Sequence, residues 1–361
     1  MHLRSFVTAA LAATALLASP AVATAAPETR SFAEVGSDSV AGAPVERLSG
    51  RDRIGTAVAI SQDAWDGKGG EWAPRAVVLA RSDSYADSLT AAPLAAVAEG
   101  PLLLTGPTIL PAATLAELRR VLPKGGRVYI LGGTGAISKG VADTVAKEFK
   151  VTRLGGVNRF ATAVSVAKKV DELTGGGVGA YVLTTGMNFP DGLAAGASAG
   201  TFGIPVLLTN DGRLPWETWE FIEARRPADL LPVGGQAVAA MKYHPRYNPL
   251  WDLSGKDRYE TAAKVAGFFF SPAMGEDLAN VVGVATGQNW PDALAGSAYM
   301  SVHGGPLLLA QRDSLPPVSA RVIADMKVRD NVGIQYGVVF GGEGVLSKKV
   351  FTQFETAVNK K

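Results

Sequence analysis

Short, almost entirely apolar runs alternate along this chain with longer stretches whose apolar residues recur at helical spacing. A run without a polar face is typical of a strand buried on both sides, as in a parallel sheet covered by helices. The alternation therefore predicts an α/β fold of parallel strands joined by crossover helices. In the first third of the chain the predicted strands are 76–80, 101–104 and 128–131, and the predicted helices are 52–63, 86–98, 112–121 and 138–148.

This order of elements recurs twice, and four short phrases recur with it. Further strands are predicted at 181–184, 206–209 and 230–233, and at 281–285, 307–309 and 337–340. The phrases are the opening phrase (47–56, 153–162, 252–261), the aspartate phrase (84–89, 188–193, 289–294), the leucine strand (101–105, 205–209, 306–310) and the glycine turn (132–133, 234–235, 341–342). The step of about 100 residues is the size of a small domain. The sequence thus predicts three tandem parallel-sheet α/β units.

The N-terminal 45 residues lack this pattern. Basic Arg4 precedes an uncharged apolar run and then small residues, which is typical of a secretory signal peptide. The run is short and alanine-rich for the alternative, a membrane anchor. The predicted organisation is a signal peptide at 1–26, a linker at 27–45 and repeats at 46–150, 151–250 and 251–357. We expect a secreted protein without a membrane span once the signal is removed.

Composition limits how such a protein could hold its partners. A formal net charge of +2 over 361 residues is too balanced for bulk electrostatic binding to nucleic acid, so any anion site must be local. The chain contains no cysteine and therefore has neither disulfides nor a lipid-modified cysteine anchor. Its polar C-terminus has no apolar tail. Attachment to a cell surface would then be non-covalent.

The aspartate phrase follows the first buried strand of each repeat, where loops of parallel sheets form the ligand crevice. The carboxylates at the equivalent position of its three copies are Asp87, Asp191 and Asp292. A structural role is equally available, because Ser84, Asn188 and Asn289 are N-cap residue types and a carboxylate three residues later resembles a capping box. Helix capping and ligand contact are both open interpretations of these aspartates.

The opening phrase places an arginine against local preference. Asp52, Asn158 and Asp257 are predicted N-caps, so the following residue lies in the first helical turn, where the helix dipole disfavours a cation. The residues in question are Arg53, Arg159 and Arg258. We expect a compensating partner. It is either the carboxylate of the aspartate phrase, in a buried ion pair, or an anionic ligand that suits the planar guanidinium.

Another arginine begins the phrase in two copies only. Arg47 and Arg153 strengthen the basic character of the first and second repeats, whereas Asp252 stands at this position in the third. Val157 also replaces Arg51 of the first copy. The three repeats are therefore not expected to carry three equivalent sites.

A recurring aromatic position allows a functional and a structural interpretation. Tyr85, Phe189 and Trp290 share this position, from which an aromatic ring can stack on a sugar or pack against the start of a helix.

The glycine turn superficially matches a dinucleotide-binding motif. It follows the last strand of each unit rather than the first and lacks the third glycine, so a tight strand-to-helix turn explains it.

The sequence offers no positive sign of catalysis. Beyond the signal, histidine occurs only as His244 and His303, and neither lies in a repeated phrase. Zinc-binding His-x-x-Glu-His, a cysteine nucleophile and a Gly-x-Ser-x-Gly elbow are all missing. A carboxylate pair for sugar hydrolysis cannot be recognised from the sequence, because it is defined by the distance between the two carboxyl groups in space. Triplication without specialisation predicts a non-enzymatic binder that needs no cofactor or metal.

Together, the four phrases resemble the type 2 cell-wall-binding repeat of Gram-positive bacteria, over roughly residues 47 to 357. The resemblance implies three α/β units packed around a pseudo-threefold axis within one chain. It also implies non-covalent attachment to an anionic wall polymer of the teichoic-acid or secondary-polysaccharide kind. Transferred by position, the opening phrases and leucine strands would face that polymer near the unit interfaces. The predicted ligand-binding residues are Arg47, Arg53, Arg153, Arg159, Arg258, Asp87, Asp191 and Asp292.

Many members of this family join their repeats to a passenger enzyme, and this sequence shows no further segment of that kind. A stand-alone wall-associated surface protein, monomeric in solution, is the leading interpretation. The alternative is an accessory or modulator of a separate wall amidase. A wall hydrolase in its own right is the third and weakest candidate.

Overall fold

The computed structural model describes residues 42–176, 179–242, 244, 251–271, 279–329 and 333–360. The predicted signal peptide and most of the predicted linker lie outside these residues. None of the helices in the described ranges is both long and apolar enough to span a bilayer.

Three parallel-sheet units follow one another, as the sequence predicts. The first third of the chain forms β1 (Val45–Leu48), α1 (Arg53–Ala64), β2 (Ala76–Arg81), α2 (Ala91–Val97), β3 (Leu102–Thr105), α3 (Ala112–Val121), β4 (Arg127–Leu131) and α4 (Lys139–Ala146). Next come β5 (Lys150–Leu154), α5 (Arg159–Leu173), β6 (Ala180–Thr185), α6 (Pro190–Thr201), β7 (Val206–Thr209), α7 (Trp216–Arg225), β8 (Asp229–Val233) and α8 (Gly235–Met241). The last third forms α9 (Arg258–Phe269), β9 (Val281–Thr286), α10 (Pro291–His303), β10 (Leu307–Ala310), α11 (Pro317–Arg329), β11 (Tyr336–Phe340) and α12 (Lys348–Asn359).

The central strands are apolar throughout because both faces of each sheet are covered. In β2, Val78 and Ala80 pack into a cluster that reaches all three units, whereas Val77 and Leu79 pack into an outer cluster of the first unit. All four side chains are fully buried. Removal of this apolar surface from water is the main force that holds the strands in place.

The sheets are completed by strands exchanged between repeats. The sheet orders are β3-β2-β4-β5, β7-β6-β8 and β1-β11-β9-β10, so β5 joins the sheet of the first unit and β1 joins that of the third. In the third exchange, Leu253 forms a single parallel bridge with Val233. Each opening phrase thus begins against the preceding unit, and β1 closes the chain into a ring. β1 and β5 were not predicted from the sequence, because these half-exposed strands contain charged residues and no apolar run.

The three units meet through α2, α6 and α10, which pack on one another along the centre of the molecule. Small residues allow this close approach, and serine hydroxyls bridge the helices. Ser297 donates to the carbonyl of Leu193 at 2.8 Å, and Ser301 donates to that of Ala92 at 3.0 Å. Since equivalent helices from all three repeats share this contact, the units surround an approximate threefold axis.

Candidate functional site

The helices that follow the opening phrases begin where the sequence predicts. Asp52 accepts a hydrogen bond from the Gly55 amide at 2.8 Å, and Asn158 accepts one from the Ala161 amide at 2.9 Å. Asp257 caps α9 in the same way. Local capping therefore fixes an arginine as the first residue of α1, α5 and α9.

These arginines find their compensating partner in the backbone of their own unit. Arg53 donates to the carbonyl of Ser82 at 2.5 Å. Arg159 and Arg258 donate to the equivalent carbonyls, those of Gly186 and Gly287. The three carbonyls lie just beyond β2, β6 and β9. Within the described residues no salt bridge joins these arginines to Asp87, Asp191 or Asp292, so the ion pair considered as one alternative is not formed.

The same guanidinium groups lie over aromatic rings of the preceding repeat, at distances that favour cation–π attraction. The distance from the guanidinium carbon to the ring centroid is 5.7 Å for Arg53 and Trp290, 5.9 Å for Arg159 and Tyr85, and 5.8 Å for Arg258 and Phe189. Tyr85 also contacts Phe189 and Trp290 edge-on, with centroid distances of 5.7 and 6.2 Å. We call these six residues the axial ring. It joins the three units at one end of the central helices.

The capping-box interpretation of the aspartate phrase is wrong. The N-caps of α6 and α10 are Phe189 and Trp290, one residue after the predicted asparagines, and α2 begins only after Thr90. Ser84 therefore caps no helix. Tertiary packing delays α2, because residues 86–90 form turns that bring Leu89 against Gly192 of the second unit.

Instead of capping, the aspartates point across the unit boundaries. Thr162 donates to Asp87 at 2.8 Å, and Thr56 forms the equivalent bond to Asp292. Each of these threonines also accepts a hydrogen bond from a glycine amide of its own opening phrase, at 3.1 Å in both copies. The hydroxyl therefore connects a repeat to the unit before it. This role was not predicted from the sequence, although threonine ends all three opening phrases.

Burial changes the acidity of two of these carboxyl groups. It raises the pKa of Asp191 to about 6, against the opposing charge of Arg258. Burial also raises the pKa of Asp292, which the Thr56 bond and the charge of Arg53 oppose. Both aspartates press against a glycine turn: a Cβ added at Gly234 would lie 2.1 Å from Asp191, and one at Gly341 would lie 2.7 Å from Asp292. Both glycines have positive φ, as the predicted tight turn requires.

Arg47 and Arg153 hold the glycine turns of the preceding units. Arg47 donates to the carbonyl of Gly341 at 2.7 Å, and Arg153 donates to Gly132 and Gly133 at 2.9 and 3.0 Å. Burial lowers the pKa of both arginines from the usual value. Both were predicted to bind ligand, and the structure engages them in the contacts that fasten β1 and β5.

A cleft of about 350 Å³ opens between the third unit and the opening phrase of the first repeat. It brings together Arg53 and Asp292 from the predicted site and adds Arg51 and Asn289. The lining residues are Gly50, Arg51, Asp52, Arg53, Thr56, Asn289, Pro291, Asp292, Gly342, Gly344 and Val345. Arg51 and Arg53 are exposed, so this cleft offers two guanidinium groups to a ligand. The described part of the chain contains no group of side chains suited to holding a metal ion.

The structure is that of a repeat protein with three α/β units and a basic cleft where the third unit meets the first. The cell wall binding domain 2 (CWB2) family matches the chain at residues 47–142, 153–242 and 253–351. The chain belongs to this family. The resemblance and the three-unit α/β fold inferred from the phrases are thereby confirmed.

The chain is also similar to parts of larger proteins of Bacillus subtilis and Clostridium difficile. The chain is 29% identical over 315 residues to N-acetylmuramoyl-L-alanine amidase LytC of Bacillus subtilis, covering 87% of this chain and 58% of that protein. It is 26% identical over 297 residues to the amidase enhancer of that organism, covering 81% and 38%. Among solved structures, Cwp6 from Clostridium difficile matches with a TM-score of 0.75 and 25% identity, over 88% of this chain and 48% of that one. The chain therefore spans about half the length or less of several matched proteins.

Proposed function

We propose that this protein attaches non-covalently to an anionic polymer of the cell wall, and that the cleft between the third and first units is its main binding site. The observation that carries the proposal is the pair of exposed arginines, Arg51 and Arg53, beside a half-buried Asp292. Guanidinium groups match phosphate and carboxylate oxygens in geometry and charge. The small net charge of +2 makes such a local cluster necessary.

The corresponding crevices of the other two junctions are less basic. Val157 takes the place of Arg51 in the second copy, and Lys256 takes it in the third. Arg159 and Arg258 are half-buried, whereas Arg53 is exposed. The polymer is thus expected to bind mainly at one junction, with the other two contributing unequally.

The test is sedimentation of the full chain with purified wall, before and after extraction of the anionic polymers. We expect binding to intact wall, loss of binding after extraction, and moderate weakening by salt because charged contacts release counterions. Arg51→Ala should weaken binding, whereas Arg75→Ala serves as a matched control. Arg75 is an exposed arginine just before β2, at the opposite end of that strand from Ser82, which Arg53 contacts. Equal binding to intact and extracted wall would contradict the proposal.

We further propose that the protein is secreted through the signal peptide at 1–26 and acts without an enzymatic activity of its own. Similarity to the amidase enhancer favours one alternative, an accessory role toward a separate wall amidase. Wall hydrolysis separates these possibilities. The purified chain alone should release no wall fragments, and a stimulated rate in the presence of an amidase would support the accessory role.

A further inference from the structure

One corner of the second unit exposes large apolar side chains where the other units do not. Across the described residues, four large apolar side chains are prominently exposed, and three of them lie at this corner. They are Val157 at 93% exposure, Trp216 at 69% and Met187 at 45%. Single exposed apolar residues are ordinary, whereas a local group of them marks an interaction surface.

Hydrogen bonds between neighbouring residues link the three chain segments that carry these side chains. Asn158, next to Val157, donates to Glu217, next to Trp216, at 2.7 Å. Arg159 donates to the carbonyl of Gly186, which precedes Met187. The segments that carry the three apolar side chains are therefore joined near the point where the chain passes from β5 to α5.

The aligned positions of the other repeats do not repeat this composition. They hold Arg51, Asp83 and Ala112 in the first repeat, and Lys256, Gln288 and Pro317 in the third. All three positions are large and apolar only in the second. Three separate segments thus differ from their counterparts in the same way at one corner, which favours a shared ligand over independent surface variation.

The chemistry of the corner fits a sugar ring better than an anion. The cation found at the aligned position in the other copies is replaced by Val157, and the Glu217 carboxylate repels phosphate. An exposed indole presents a broad flat apolar face to the C–H side of a pyranose. Asn158 and Glu217 are planar polar groups already oriented by their mutual bond, as groups that fix a ligand's orientation should be.

We propose that Trp216, Asn158 and Glu217 form a stacking subsite for a neutral pyranose ring of the wall glycan. This inference rests on the proposed wall-binding function and adds a second ligand chemistry to it. The anionic polymer would bind chiefly at the cleft between the third and first units, and the uncharged glycan would bind at the second unit.

The test is isothermal titration calorimetry of the full chain with the neutral oligosaccharide tetra-N-acetylchitotetraose. We expect a saturable heat change in wild type and at least tenfold weaker binding in Trp216→Ala, with Trp216→Phe between them. Ile109→Ala is the matched control, because Ile109 is 74% exposed and belongs to the first unit. Equal urea midpoints for all variants establish that the fold is retained.

Three outcomes would overturn the subsite: no saturable change in wild type, equal affinity in Trp216→Ala, or a concentration-dependent dimer that Trp216→Ala abolishes. The last outcome would make the corner a protein interface. None of these measurements uses anionic polymer, so failure here leaves the comparison of intact and extracted wall to decide the proposed function separately.

Discussion

Thr162 donates its hydroxyl hydrogen to Asp87, 75 residues earlier in the chain, and this 2.8 Å bond joins the second repeat to the first unit. The threonine is fully buried, and the aspartate is half-buried. Thr56 makes the equivalent bond to Asp292, so the same local arrangement joins neighbouring units at two of the three junctions.

Removal of this hydroxyl should destabilise the whole chain. Thr162→Val keeps the shape of the side chain but leaves the Asp87 carboxylate without its donor, at a cost of about 1–3 kcal/mol in the free energy of unfolding. Urea unfolding measures it. Thr144→Val is the control, since the exposed Thr144 hydroxyl bonds only within its own helix. Equal losses in the two variants would show that the contact between repeats contributes nothing specific.

The arginines that begin the opening phrase should act on stability rather than on ligand binding. Arg47→Ala and Arg153→Ala each remove charge-assisted bonds to a glycine turn and are expected to cost roughly 1.5–3 kcal/mol. Arg75→Ala, which breaks an exposed ion pair with Glu99, should cost under about 1 kcal/mol. Unfolding curves and wall sedimentation are measured on the same samples. Weaker wall binding at unchanged stability would instead show that these arginines contact the ligand.

Substitution of Arg53 and of Arg258 should have different effects on wall binding and on the free energy of unfolding. Arg258 is half-buried over Phe189, so Arg258→Ala is expected to lower the free energy of unfolding by about 1–3 kcal/mol. Arg53 is exposed in the main cleft, so Arg53→Ala should chiefly weaken wall binding. Unchanged wall binding in both variants would mean that the polymer binds elsewhere.

Asp191 should make stability depend on pH in an unusual direction. Its native pKa of about 6 lies above the ordinary value of 3.8, so the native state holds more protons than the unfolded chain between these values. The contribution of Asp191 is therefore most favourable below about pH 4 and declines as pH rises to about 6. Asp191→Asn should remove a change in the free energy of unfolding on the order of 2–3 kcal/mol between about pH 4 and pH 6, measured by urea unfolding of both proteins at several pH values. Asp143→Asn, at an exposed ion pair, should leave this pH dependence unchanged.

Introduction of a cation at Val157 should strengthen binding to the anionic polymer. The side chain is 93% exposed, so Val157→Arg should leave stability unchanged while giving the second copy the arginine that the first has. Affinity for the anionic polymer should increase. It should also decrease more steeply as the salt concentration is raised. Ile109→Arg controls for the added charge alone. If both variants bind equally well, general charge rather than the crevice explains the gain.

Much of the architecture follows from local pattern. The nine buried strands were predicted within one or two residues, because a strand covered on both faces must be apolar at every position. The N-caps Asp52, Asn158 and Asp257 were also predicted, because a cap bonds amides two or three residues away. Strands β1 and β5 were not predicted, since they have no apolar run and are strands only because they pair with β11 and β4.

The sequence by itself determined that three similar α/β units exist, where their buried strands run, and which arginines begin their helices. It did not determine which copy of a phrase contacts which, because the repeated phrases offer the same partners within a repeat and between repeats. Packing of α2, α6 and α10 decided this by placing each opening phrase against the unit before it. Arg47 thereby reaches Gly341, 294 residues away, and the basic cleft forms between the two ends of the folded chain.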